Sequence, residues 1–197
     1  MSATTPLALI VGLGNPGSGY AETRHNVGFW LLDRLARLAG AGFRPESRFH
    51  GDTCEASLAG HRVRLLRPST YMNRSGQAVA ALARFYRIPP EAVLVVHDDL
   101  DLPVGQVRLK VGGGHGGHNG LRDIVAQLGS HDFVRLRIGI GHPGQREAVT
   151  GHVLSRPSAE DRGALERALD DVVAELPRLV DGDWQAAMRR LHAPGTP

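Results

Sequence analysis

With 197 residues, 42% of them hydrophobic and one cysteine, Cys54, the chain can bury a sizeable core as one domain; an internal disulfide and a thiolate metal cage are excluded. No stretch nears the roughly 18 apolar residues of a membrane span, and residues 1–6 lack a charged-then-apolar leader, so a soluble, untargeted protein of a reducing cytoplasm is expected. The net charge is +3 with a pI near 9.6, and every basic residue except Lys110 is arginine, which permits a polyanionic partner without demanding one, whereas 5% aromatics argue against a broad base-stacking platform.

Residues 7–11 are apolar throughout and read as a buried strand that ends in the turn Gly12-x-Gly14-x-x-Gly17. A polar loop follows, carrying Asn15, Tyr20 and His25, and a helix is predicted from about Asn26. The glycine spacing is formally a dinucleotide fingerprint. That reading requires a glycine at the mouth of a helix and an acidic residue about 20 positions on. Asn15-Pro16 is instead a turn, Glu22 falls in the loop and Asp33 in mid-helix, so both conditions fail.

Val27, Leu31, Leu35 and Leu38 keep helical spacing, and Gly40 closes the run. Residues 51–58 and 62–66 read as two strands joined at Ala59-Gly60, with Pro68 ending the second. After the loop 69–73, a helix over 75–86 is predicted to bury Ala78, Leu82 and Phe85. Residues 92–96 form an apolar run typical of strands buried on both faces, and this run ends in His97-Asp98-Asp99-Leu100-Asp101. A strand over 104–111 leads into the glycine-dense loop 112–120, from which a helix starts with Asn119 as its N-cap. Residues 134–140 read as a strand with Arg135 and Arg137 on one face. Leu165 to Leu176 line a long helix stopped by Pro177, and Trp184, Ala187, Met188 and Leu191 line a last one; residues 193–197 should fray, as should 1–6. This alternation predicts a single three-layer α/β domain whose mixed, mostly parallel sheet is flanked by helices.

Polar groups collect at the ends of three segments, and each supplies an asparagine: Asn15, Asn73 and Asn119. No G-x-S-x-G elbow occurs and Cys54 lies within a strand, which leaves water as the nucleophile and His25 as its base. Asp98, at a strand tip, is the candidate to orient His25, and asparagine amides can hold the water and polarise a carbonyl. Two other readings stay open: a metal-dependent phosphohydrolase built on Asp98, Asp99 and Asp101, and an RNA-binding module without catalysis. Against the metal, adjacent Asp98 and Asp99 should point to opposite faces. His97, His115 and His118 are read as structural.

Five blocks in order carry a family resemblance. They are Gly12-Leu-Gly-Asn-Pro-Gly17 with Tyr20 and Thr23-Arg-His-Asn26; Pro68-Ser-Thr-Tyr-Met-Asn73-x-Ser-Gly76; His97-Asp-Asp-Leu-Asp-Leu-Pro103; Gly112-Gly-Gly-His-Gly-Gly-His-Asn-Gly120; and Arg137-Ile-Gly-Ile-Gly-His-Pro-Gly144. Together they resemble the bacterial-type peptidyl-tRNA hydrolases over residues 7–192. The resemblance implies a monomeric, cytoplasmic esterase with no metal or cofactor. Such an enzyme frees tRNA from peptidyl-tRNA after a ribosome stalls, so peptidyl-tRNA and the stalled large ribosomal subunit are the implied partners, and no membrane is. It also implies His25 as proton acceptor, Asp98 as its stabilising partner, Asn15 as discriminator of blocked amino groups, and Asn73 and Asn119 as ligands of substrate and water. Tyr20 and Tyr71 would contact the tRNA end or the peptide, with Met72 as an apolar wall. Lys110 and Arg137, supported by Arg108, would clamp the tRNA 5′-phosphate. Tyr71, Asp99 and Arg108 are small departures from the family pattern, none of which removes a group from that chemistry.

Overall fold

The computed structural model describes residues 4–193; the expected fraying of 1–3 and 194–197 lies outside the described residues. Its strands are β1 (Leu9–Gly12), β2 (Arg44–Glu46), β3 (Gly51–Leu58), β4 (His61–Pro68), β5 (Val93–Asp99), β6 (Val107–Val111) and β7 (Val134–Gly139). The helices are α1 (Val27–Leu38), α2 (Ser75–Phe85), α3 (Asn119–Leu128), α4 (Val149–Val153), α5 (Ala159–Ala174), α6 (Leu176–Asp181) and α7 (Trp184–Leu191). The strands form one sheet in the order β2-β3-β4-β1-β5-β7-β6. Its centre, β4-β1-β5-β7, is parallel, and antiparallel pairs finish both edges. This is the expected mixed, mostly parallel α/β architecture. No helix among the described residues is long and apolar enough to cross a membrane.

Side chains alternate along a strand, so β1 and β5 feed two cores at once. Leu9, Val11, Val93 and Val95 pack with Leu82 of α2 and Ile124 of α3 on one face. Ile10, Leu94 and Val96 pack with Leu31 and Leu35 of α1 and Leu169 of α5 on the other. Burial on both sides is why these strands read as unbroken apolar runs. Helix α1 meets β1 with nothing between the backbones: a Cβ on Gly12 would collide with the Gly28 carbonyl oxygen, and one on Gly28 would lie 2.5 Å from both Leu13 N and the Val96 oxygen. Gly12 therefore serves helix-to-sheet packing, and no nucleotide is needed to explain it.

Several details depart from the sequence expectation. Leu38 and Phe85 are exposed, because each is the last residue of its helix and has run past the core; Phe85 instead stacks edgewise on Phe49 and Tyr86 beneath the Arg48 guanidinium. Pro177 does not stop α5, which ends at Ala174; it sits in the first turn of α6, where its missing N–H is no loss. The strand expected from 104 begins at Val107, since Gly105, at φ +84°, turns the chain first. Three short elements, β2, α4 and α6, are absent from the sequence reading because three, five and six residues show no usable period.

Candidate active site

Strand β1 has β4 on one side and β5 on the other, which makes its C-terminal end a topological switch point. Ligands of open α/β sheets collect at such points. Here a cleft of about 850 Å³ opens, and the loop after β1, the turn after β4, the tip of β5 and the loop before α3 all supply its walls.

His25 stands in a one-turn 3-10 helix, Arg24–Asn26, immediately before α1. Its Nδ1–H donates to the Asp98 carboxylate at 2.8 and 2.9 Å, although 73 residues separate the two along the chain. That tautomer leaves Nε2 with a lone pair at the cleft. Burial alone would lower the His25 pKa; the charge of Asp98 and its hydrogen bond outweigh burial and raise it above 6.5. Burial likewise pushes the Asp98 carboxyl upward, but His25 and His118 overcome this and hold it well below the usual carboxylate range. At neutral pH Asp98 is a buried anion, 2% exposed, with two imidazole donors.

The second donor is His118, a residue that reads as structural in the sequence. Its Nε2–H donates to Asp98 Oδ1 at 2.9 Å. Its Nδ1 accepts from the N–H groups of Gly120 and Leu121 at 3.1 and 3.3 Å, so His118, and not Asn119, is the N-cap of α3. Because Nδ1 accepts two N–H groups at a helix N-terminus, the ring hydrogen that faces Asp98 is the one on Nε2. The signal for this was the N-cap position itself, since imidazole is a capping acceptor as well as a base. His97 completes the cluster. It is fully buried, donates from Nδ1 to the Asp98 main-chain carbonyl at 2.8 Å and packs edge-on against the His118 ring. Burial, then the neighbouring His118, push its pKa down to about 4, so it is neutral at pH 7.

Asn15 is buried and doubly held. Its main-chain N–H and carbonyl pair with the Asn26 carboxamide at 2.9 and 3.0 Å, and its Oδ1 accepts the Met72 N–H at 2.8 Å. That last bond ties the turn after β4 to the turn after β1 and leaves the Asn15 NH₂ without a partner among the described residues. Met72 is buried against Gly120, where a Cβ would lie 2.7 Å from the Met72 sulfur. Tyr71, Asn73 and Asn119 line the cleft and are exposed.

Lys110 and Arg137 also line the cleft. In the β6–β7 register Lys110 opposes Arg135 and Arg108 opposes Arg137, which puts four cations on one face. Arg135 is fully buried and spent on the carbonyls of Gly112 and Gly113, so it staples the base of the glycine loop. The Arg137 Nε–H donates to Asp99 at 2.7 Å. Two residues of the sequence reading lie outside the cleft: Tyr20, half-buried in the loop after β1, and Arg108, whose guanidinium donates to the Val107 carbonyl.

The carboxylates of the metal reading do not converge. Asp98 faces the two histidines, while Asp99 pairs with Arg137 and accepts the Asp101 N–H. Among the described residues, the ligand atoms close enough to surround one cation are those of His25, Asp98 and His118, within 4.8 Å. They are already matched as two N–H donors and one acceptor.

A family model described as peptidyl-tRNA hydrolase matches residues 9–196. The chain is 59% identical over 185 residues to a peptidyl-tRNA hydrolase of Halorhodospira halophila, covering 94% of this chain and 95% of that one. It is 62% identical over 188 residues to one of Haemophilus influenzae, covering 95% and 97%. The crystal structure of peptidyl-tRNA hydrolase from Acinetobacter baumannii superposes with a TM-score of 0.94 at 50% identity over 98% of each chain.

Proposed function

Because the chain belongs to the peptidyl-tRNA hydrolase family, we propose that it hydrolyses the ester between a peptide, or an N-blocked amino acid, and the 3′-terminal ribose of tRNA. The observation that supports the chemistry is the His25–Asp98 pair with Nε2 left open at the cleft. Nε2 takes a proton from water, the resulting hydroxide attacks the ester carbonyl, and a tetrahedral oxyanion forms. On collapse the carbonyl–ribose bond breaks, and the same Nε2–H protonates the departing ribose oxygen. Asp98 stabilises the transient imidazolium, and His118 holds the same carboxylate through Oδ1. Asn73 and Asn119 hold the water and the oxyanion, and the Asn15 NH₂ reads the acylated amino group. Tyr71 and Met72 flank the bound end, and Lys110 with Arg137 takes the 5′-phosphate. In this reading a monomer works in the cytoplasm on peptidyl-tRNA released from stalled ribosomes.

The test is deacylation of N-acetylated aminoacyl-tRNA. His25→Ala should lower turnover by about 10² to 10⁴, as loss of a general base does. Near-normal turnover by that variant would remove His25 as the base, and inactivity of the wild type would refute the reading as a whole.

A further inference from the structure

Arg24 precedes His25, yet its contacts are with the segment that follows α4. Its main-chain N–H donates to the Ser155 carbonyl at 3.1 Å, and its guanidinium donates to the His152 carbonyl at 3.1 Å and to Ser155 Oγ. Ser155 Oγ–H in turn donates to the His152 carbonyl at 2.8 Å. These bonds satisfy carbonyls that the last turn of α4 leaves open. On its other flank the His152 Nε2–H reaches the carbonyls of Ile140 and Gly141, just past β7, at 3.1 and 3.0 Å. A five-residue helix is too short to hold itself, so these two ties set its position. Val149, Val153 and the following Leu154 line the cleft as an apolar wall. Asn73, His118 and Asn119 supply polar groups elsewhere in the lining.

We propose that Arg24 is a specificity-determining positioning residue, bolting the apolar wall of α4 to the segment that carries His25 so that the wall receives the side chain of the amino acid esterified to tRNA. The proposal rests on the ester-hydrolase reading above. The base must sit beside the scissile carbonyl, and the side chain of the esterified residue branches from the α-carbon bonded to that carbonyl, one bond away, within reach of a wall held to the base's own segment. Fixing the wall to Arg24 sets its distance from the base directly through the His25 segment, in addition to the tie that His152 makes to the end of β7.

The test is steady-state deacylation of N-acetylphenylalanyl-tRNA and N-acetylglycyl-tRNA by wild type, Arg24→Ala, Arg24→Lys and Val153→Ala. Arg24→Ala should lower kcat/KM for the phenylalanyl ester by about 10-fold or more, the range one apolar group commands in a pocket, while the glycyl ester changes by less than about 3-fold. The acid limb of its pH profile should stay in place, because the His25–Asp98 pair is untouched. Arg24→Lys, which keeps the charge but loses the planar fork, should recover part of the loss. Val153→Ala, which thins the wall with the bolt intact, should reproduce the selectivity and carries the test if Arg24→Ala fails to fold. Equal losses on both esters, or none on either, would overturn the proposal. Wild type that cleaves neither ester would instead refute the hydrolase reading.

Discussion

At Asp98 one buried carboxylate accepts N–H groups from two imidazoles, and this asks more of the residue than either bond alone. An asparagine in its place has a single carbonyl oxygen and brings an NH₂ toward the other ring. Asp98→Asn should therefore lower turnover by at least about 10², through a misplaced His25 tautomer. The pH profile carries an independent sign. The base works only when neutral, and Asp98 raises its pKa above 6.5, so wild-type activity should fall as pH drops through that raised value. Without the charge the acid limb should move to lower pH; a limb that stays in place would dissociate Asp98 from the titration. His97 offers a stability test. An unfolded histidine binds a proton near pH 6.5 and the folded one only near 4, so folding weakens as pH falls between those values. His97→Asn should flatten this dependence by about 2 kcal/mol between urea melts at pH 7 and pH 4.5. Equal slopes in both proteins would contradict a neutral, buried His97. The pairing of His25 with Asp98 was legible in the sequence because Asp98 lies at the tip of an apolar strand and His25 in the polar segment between the first strand and its helix, so both belong to the carboxyl edge of the sheet. The place of His118 was not, because its capping role is visible only once the neighbouring N–H groups are in position.

Among the elements, helices and strands with a long apolar period were legible, and short ones were not. β2 and α4 owe their form to contacts made elsewhere, with β3 in one case and with Arg24 and His152 in the other. The apolar stripe also overstates burial at helix ends, as Leu38 and Phe85 illustrate. Where a sequence feature serves packing against a distant element, its meaning appears only in the fold. The glycines of the first turn permit a nucleotide reading on paper, whereas in space Gly12 and Gly28 let α1 touch β1. Gly28→Ala should force α1 outward and destabilise the protein by about 1–3 kcal/mol, the usual cost of overpacking. It should also slow deacylation, because α1 begins directly after the 3-10 turn that holds His25. Unchanged stability would mean that the helix can shift without strain.

On the scale of the molecule, the sheet separates chemistry from charge: the base stands over β1 and β5, and the cations lie over β6 and β7. If the latter receive a phosphate, Lys110→Ala should reduce the slope of log affinity for tRNA against log salt by about one, with little effect on a minimal ester lacking the tRNA body. An unaltered slope would remove Lys110 from the interface. Arg137→Ala should weaken binding more, since it leaves the Asp99 carboxylate unopposed near the incoming anion. Arg108→Ala should matter least, because that side chain lies outside the cleft. The position of β7 has a different consequence, one of timing. It is the last strand along the chain, yet it is inserted between β5 and β6. Until residue 139 has left the ribosome, the strand bearing Asp98 has one unpaired edge of amide and carbonyl groups, apolar on both faces and open to any passing strand. A synthesis aborted before that point would leave a fragment that exposes this edge and lacks the closed cleft, so the strand that carries the carboxylate is also the one most in need of prompt completion.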